Sequence, residues 1–346
     1  MKSRFFSFFL LCLLSISKEG FCLIDLETKM QDFVLETKKI EIKEYPLAFN
    51  PSIIRWNGEL LMSFRIIPDR KESFHSEIGV VWLDEEFQTI STPQILDLRP
   101  PNALPHVPSR AEDARLINVG GNLYIVYDDN RDEKVTKGGF RIYIARLEVV
   151  DRILVVKEVD AITKFEGESK NLREKSWVPF VFQNELLLAY SVSPHRIFRY
   201  LPGTGECEKI EESIPVISWD LGILRGGTPA LNIDDKYYLS FFHSSEKMKT
   251  IHSDGQEMLH YFMGAYTFSL MSPFEIMQMS PEPIIGKNFY RGNVYKPYWH
   301  PLRVVFPVGY IYEDNTISVF YGRQDHEMWV VKLDKKGLLD SLEDIK

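Results

Sequence analysis

The sequence predicts an all-β fold, a five-bladed β-propeller, from three observations. One pattern recurs five times along the chain: a compact signature of Pro, Gly or charged residues, a turn a few residues later, and then an apolar strand ending in a polar residue. The turns Asn57-Gly58, Gly120-Gly121, Gln183-Asn184, Asp234-Asp235 and Glu313-Asp-Asn315 lie roughly 50 to 80 residues apart, a hairpin period characteristic of radial arrays of small sheets. Apolar and polar residues alternate along the strands, and helical amphipathicity is nearly absent.

Bulk composition supports a packed domain. Of 346 residues, 45% are hydrophobic and 13% aromatic, enough for a sizeable core and outside the range of disordered chains. A formal charge of −8 argues against nucleic acid as a partner, since phosphate neutralisation needs a basic face. Basic residues do sit at the polar ends of the repeats, where a local positive pocket can persist within an acidic protein.

Residues 1–22 differ from the rest. Lys2 and Arg4 lead into the apolar run Phe5–Ile16, which is short of the roughly 20 residues that cross a bilayer and fits a signal-peptide core. Ser15-Ile-Ser17 supplies a small-x-small cleavage site. Export (periplasmic, secreted or lumenal) is the expectation. An uncleaved N-terminal anchor is the alternative and would be the chain's only membrane contact; without either, the protein is cytoplasmic. The 3 cysteines do not make a disulfide framework, although Cys22 and Cys207 have the option of pairing in an oxidising compartment.

Residues 23–44 are charged and read as a surface segment preceding the propeller domain, 45–340, with Met30, Phe33, Ile40 and Ile42 available to dock it. The first blade spans about Tyr45 to Leu98. The segment Arg99–Pro108 is a connector, because its prolines cannot feed an inner strand. The second blade takes Ala111 to Thr163, the third Trp177 to Ile214, the fourth Leu224 to Ile285 and the fifth Val304 to Leu333, with a short acidic tail. Within the fourth, Glu246–Leu259 reads as a long polar loop placed to cap a site. Convergence of the repeats on one axis collects Arg65, Asp113, Arg115, Asp128, Lys175, Arg225, His243 and Asp325 at one end of a central channel.

Several stretches resemble the signatures of glycoside hydrolase family 130, the β-mannoside phosphorylases and mannosidases. Glu112-Asp113-Ala114-Arg115 resembles the family's Glu-Asp-Pro-Arg, and Lys175-Ser176-Trp177 its Lys-Asn-Trp. Arg225-Gly226-Gly227-Thr228-Pro229 stands where a Gly/Pro-rich turn is expected, and Phe242-His243-Ser244 resembles Tyr-His-Gly. Met263-Gly264-Ala265-Tyr266, Val304-Val-Phe-Pro-Val-Gly309 and Tyr321-Gly322-Arg323-Gln324-Asp325 follow in the family's order. Ala114 for Pro, Ser176 for Asn and Thr228 within the turn mark a divergent branch. The resemblance implies a five-bladed propeller acting on β-mannosides by phosphorolysis or its reverse from mannose 1-phosphate, with hydrolysis or mannosyl transfer on the same fold as alternatives.

On that resemblance Asp113 is the catalytic acid, and its proton passes through a sugar hydroxyl. Such an acid needs desolvation or a nearby carboxylate to retain its proton, so Arg115 is expected to point at ligand or Glu112 instead. Lys175, Arg196, Arg225 and His243 are the candidate phosphate ligands, since cationic forks hold and orient that anion. Arg65, Glu112, Arg115, Asp128, Trp177, Tyr321 and Asp325 are the candidate sugar contacts. If inorganic phosphate is the co-substrate, one acid and a cationic cradle suffice without a catalytic base. No cofactor is implied, and no Cys/His spacing suggests a metal. A glycan-binding propeller without catalysis is the rival from another class; it would keep Arg65 and Asp325 but not depend on Asp113.

Overall fold

The computed structural model describes residues 23–69, 75–99, 108–130, 139–167, 173–294 and 301–345. The apolar segment and cleavage site expected within 1–22, Cys22, and most of the Pro-rich connector lie outside the described residues. The fold is all-β, with strands gathered into five sheets in a propeller arrangement. The first sheet holds Phe49–Trp56, Glu59–Ile66, Glu77–Leu83 and Gln94–Ile95; the second holds Glu112–Val119, Asn122–Asp129, Arg141–Val150 and Ile153–Ala161. The third holds Val178–Phe182, Glu185–Ser191, His195–Leu201 and Glu206–Ser213. The fourth is larger, with seven strands built around the long pair Tyr237–Lys249 and Glu257–Ser269.

The hairpins follow from their turn residues. Trp56 pairs with Glu59 and Val119 with Asn122, leaving two-residue loops at Asn57-Gly58 and Gly120-Gly121. All four loop residues have positive φ, the conformation that matches the strands' right-handed twist and that Asn and Gly adopt most easily. Gln183-Asn184 forms the same two-residue loop without glycine, and both residues are left-handed.

Core clusters lie between neighbouring sheets and close into a ring. Leu61, Val80 and Leu96 pack on Leu116, Ile125 and Tyr143 between the first and second sheets. Ile117 and Val126 meet Leu188 and Phe198 between the second and third, and the third packs on the fourth through Phe180, Tyr238 and Phe268. The fourth meets the fifth through Phe241, Tyr310 and Val319, and Phe320 and Val330 of the fifth return to Met62 and Phe64 of the first.

The fifth sheet is made from both halves of the chain. Val305–Glu313, Thr316–Arg323 and Glu327–Asp334 are joined by Val34–Ile40, with Thr37 opposite Val331 and Ile40 opposite Met328. The segment 23–44 therefore does more than cross the surface: it supplies the outer strand and ties off the ring. Two other expectations are corrected. Residues 246–259 are the tip of a regular hairpin, with Lys249 opposite Glu257. Thr250 bridges Ile24, and Arg303 donates to the His252 carbonyl at 2.6 Å, so the tip is fixed to the start of the described chain. The acidic tail is folded too: a short helix, Lys335–Asp340, is capped by Asp334, and Glu343–Asp344 pairs with Gln278–Met279. Cys207 is buried in the apolar cluster between the second and third sheets, which pushes its thiol up to about 12. Among the described residues no helix is long and apolar enough to cross a membrane.

Two predictions concern this framework. Ile40 is 3% exposed in the cluster that closes the ring, so Ile40→Ala is expected to cost about 2–5 kcal/mol, measured by equilibrium unfolding. An unchanged unfolding midpoint would show that the N-terminal strand does not hold the ring shut. Burial lowers the imidazoles of His195 and His260 to about 4 each. Between 6.5 and about 4 the unfolded chain binds these protons and the folded chain does not, so stability falls as pH drops through that window. Urea midpoints taken at both ends of the window should differ, and His195→Gln should reduce the difference.

Candidate active site

The site is made by a backbone irregularity repeated at the start of the inner strands. A bulge interrupts the ladder between Glu112 and Arg115, and within it Asp113 takes the left-handed conformation at φ 54°. The first sheet has the same break between Phe49 and Ser52, with Asn50 at φ 50°. Ser176 before the third sheet and Asp325 after Thr316–Arg323 are left-handed as well. Bulges turn a side chain out of the normal alternation, and Asn and Asp tolerate the conformation best. Here the extra residues bring two repeats into contact: Asn50 Nδ2 donates to Asp113 Oδ1 at 2.7 Å. The approach is close enough to require glycine opposite. A Cβ on Gly322 would lie 1.9 Å from Asn50 Oδ1.

These residues border a polar cavity of about 380 Å³. Glu112, Asp113 and Asp325 supply its carboxylates, Arg65, Arg173, Lys175 and Arg225 its cations, and His243, Tyr261 and Phe306 an aromatic wall. Arg65 lies 2.8 Å from Glu112 and 3.4 Å from Asp113. Lys175 Nζ lies 2.5 Å from Glu112 and 3.3 Å from Asp128, and 3.5 Å from the centre of the Phe140 ring. Among the described residues, no carboxylate pairs with Arg173 or Arg225. His243 is buried against Phe306, with ring centres 4.5 Å apart, and among the described residues its Nδ1 makes no hydrogen bond of good geometry.

Electrostatics divide the carboxyl groups. Burial alone would raise Asp113, but Arg65, Lys175, Arg115 and the Asn50 hydrogen bond outweigh it and hold the group below the usual range. Asp113 is therefore ionised by its protein surroundings, contrary to the expectation of a carboxyl poised to keep its proton. Asp128 goes the other way: burial, with Asp113 and Glu112 adding to it against Lys175, pushes it up to about 8. Burial and the neighbouring Arg115 and Arg225 lower His243 to about 3, so at neutral pH it meets a ligand as an uncharged imidazole.

Of the predicted residues, Arg65, Glu112, Asp113, Lys175, Arg225, His243 and Asp325 border one cavity. Five do not. Arg115 lies beneath the floor, donating to the Gly227 carbonyl at 2.5 Å and to the Asp113 backbone carbonyl at 2.7 Å, rather than reaching ligand or Glu112. Asp128 is buried under Lys175, away from any sugar. Trp177 is core, stacked on Phe198 at 5.6 Å, and Tyr321 is core against Phe289 at 4.8 Å. Arg196 is on the third sheet's third strand, 3.3 Å from Glu212, and is no part of the cavity. Asn50, Arg173 and Tyr261 border the cavity without having been predicted to do so. Asn50 was the findable one, since it occupies in the first repeat the place that Asp113 occupies in the second. A second cavity of about 440 Å³ opens among the far halves of the inner strands, lined mainly by apolar residues such as Ile53, Leu116 and Ala230. Its charged lining residues, Arg55 and Glu313, pair with each other at the surface, where Arg55 also meets Glu85.

No protein-family model matches the sequence, and no curated protein matches it either. Solved structures do match in fold. A β-1,2-mannobiose phosphorylase from Listeria innocua is 14% identical over 91% of this chain and 95% of its own, with a TM-score of 0.56. A mannose phosphorylase from Leishmania mexicana, in complex with phosphate ion, is 12% identical over 92% and 93%, with a TM-score of 0.61. A structure described under the glycoside hydrolase family 130 mannoside phosphorylases, with hydrolases targeting β-1,2 mannosidic linkages, is 13% identical over 88% and 92%, with a TM-score of 0.57. Over nearly its whole described length the chain has the fold of the mannoside phosphorylases and glycoside hydrolases of family 130.

Proposed function

We propose that this protein is an enzyme of the family 130 kind, a five-bladed propeller when the enlarged fourth sheet is counted as a blade, that transfers a β-linked mannosyl unit to inorganic phosphate with inversion, or runs the reverse reaction from mannose 1-phosphate. The observation that carries the reading is the pairing pattern in the cavity. Arg65 and Lys175 lie against Glu112 and Asp113, whereas among the described residues no carboxylate pairs with Arg173 or Arg225 on the same cavity. Both are solvent-exposed at the cavity, so their guanidinium groups are open to an incoming anion, and phosphate fits their fork geometry. His243 stands beside Arg225, its partner across the strands, and adds a neutral donor.

In the reaction a phosphate oxygen attacks the anomeric carbon while the glycosidic C–O bond breaks. The leaving oxygen takes up a proton derived from Asp113, directly or through a sugar hydroxyl. Phosphate is already anionic, so no side chain needs to act as base. The dianion brings negative charge next to Arg65 and Lys175, which offsets their hold on the Asp113 carboxylate and lets it take up a proton from solvent. Asn50 fixes the carboxyl's orientation through its 2.7 Å hydrogen bond.

Hydrolysis is the second reading, favoured by Asp325, a further carboxylate on the same cavity that would serve as base towards water. Incubation with β-mannobiose, with and without phosphate, separates the two. Phosphorolysis gives mannose 1-phosphate only when phosphate is present, and phosphate-independent release of mannose would replace this reading by hydrolysis. Asp113→Asn is expected to lower the rate by roughly 10²–10⁴-fold, the usual worth of general acid catalysis. A variant of undiminished function would point to a non-catalytic glycan-binding propeller. Arg225→Ala is expected to raise the KM for phosphate while leaving the KM for the glycan close to its original value.

A further inference from the structure

Beneath the cavity lies a buried carboxyl group for which the proposed chemistry has no use. Asp128 sits on Asn122–Asp129 directly opposite Glu112, and its side chain is 1% exposed. Among the described residues neither of its carboxyl oxygens accepts a hydrogen bond. Its nearest cation is Lys175, at 3.3 Å, and that ammonium group is shared with Glu112 at 2.5 Å. Lys175 spans both environments: its side chain is 24% exposed and borders the cavity, while its charge reaches down to Asp128.

A carboxylate without donors, next to the acidic Glu112 and Asp113, is poorly stabilised as an anion. We propose that Asp128 is a positioning residue for the cavity's anion site: while protonated it leaves the Lys175 ammonium to Glu112 and the cavity, and on ionising it draws that charge into the floor. Burial pushes the Asp128 carboxyl up to about 8, which places the change within the range where a folded protein can be assayed. The other charged groups around it are Lys175, Glu112, Asp113, Arg115 and Arg65. His243 is uncharged well below it, and Tyr261 is raised above its ordinary range, so neither supplies the same signal.

This inference rests on the reading that the cavity takes a tetrahedral oxyanion. Sulfate is the suitable probe, because its charge is constant where that of phosphate changes. Calorimetric titration of the whole chain with sulfate is expected to show affinity falling by up to about tenfold from neutral pH to roughly pH 9, equivalent to about one pKa unit of coupling. Reciprocally, sulfate binding near pH 8 should take up protons, seen as a binding heat that depends on the ionisation enthalpy of the buffer. Asp128→Asn mimics the protonated carboxyl and should abolish both effects while retaining the neutral-pH affinity. Wild-type affinity that stays constant with pH, or a pH dependence that survives in Asp128→Asn, would overturn the assignment. If the variant does not fold, the same titration on Asp113→Asn decides: proton uptake near pH 8 that persists without the Asp113 carboxyl supports the role, and its absence refutes it. Failure to bind sulfate or phosphate at any pH would instead remove the anion-site reading itself.

Discussion

The site depends on a backbone conformation adopted at Asn50 and again at Asp113. Each residue is held left-handed in a bulge at the start of an inner strand, which turns a side chain that would otherwise join the ladder towards the propeller axis. The strain of a non-glycine residue in that region is of order 1 kcal/mol or more and persists only where its surroundings impose it. Here they do, through the 2.7 Å hydrogen bond between the two side chains and the facing Gly322, which leaves no room for a Cβ. The catalytic candidate is thus positioned by a neighbouring repeat, and the closure of the ring by Val34–Ile40 keeps the repeats in place.

Once several charged side chains are drawn to one axis, electrostatics restricts what they can do. Buried charges must be compensated, and the repeats do this locally: Arg65 by Glu112 and Asp113, Lys175 by Glu112, with Arg115 hydrogen-bonded to backbone carbonyls. The compensation has a chemical consequence. Three cations around Asp113 hold it as a carboxylate, so the reading as an acid requires a bound anion to change the local field. Anion binding and acid function are then one coupled event, which is a natural arrangement for a reaction that needs both substrates before the bond breaks.

Much of this was legible in the sequence, because turns carry strong local signals. Asn57-Gly58 and Gly120-Gly121 announced two-residue hairpins, and equal spacing from turn to signature placed Arg65, Asp113, Lys175, Arg225, His243 and Asp325 on one cavity. The signal failed where a side chain's direction depends on a bulge or on packing. Trp177 and Tyr321 lie in the right motifs, yet they alternate into the core between sheets. Arg115 and Asp128 lie at the right axial height but point below the floor, and Arg196 belongs to a third strand remote from the axis. The N-terminal strand escaped notice because Val34–Ile40 carries a Glu and two Lys, the polar composition that suits an exposed edge strand. Nor is the hairpin at 246–259 visible in composition: its register is imposed by the long strands that it continues.

The central claim is that one cavity holds an oxyanion and a sugar side by side, and a crystal structure of the protein soaked with phosphate and mannose tests it most directly. The account predicts an anion held by Arg173 and Arg225 with His243 beside it, and a pyranose ring between that anion and Asp113. An anion bound elsewhere, or a sugar seated with Asp113 out of reach of its hydroxyl groups and glycosidic oxygen, would contradict it.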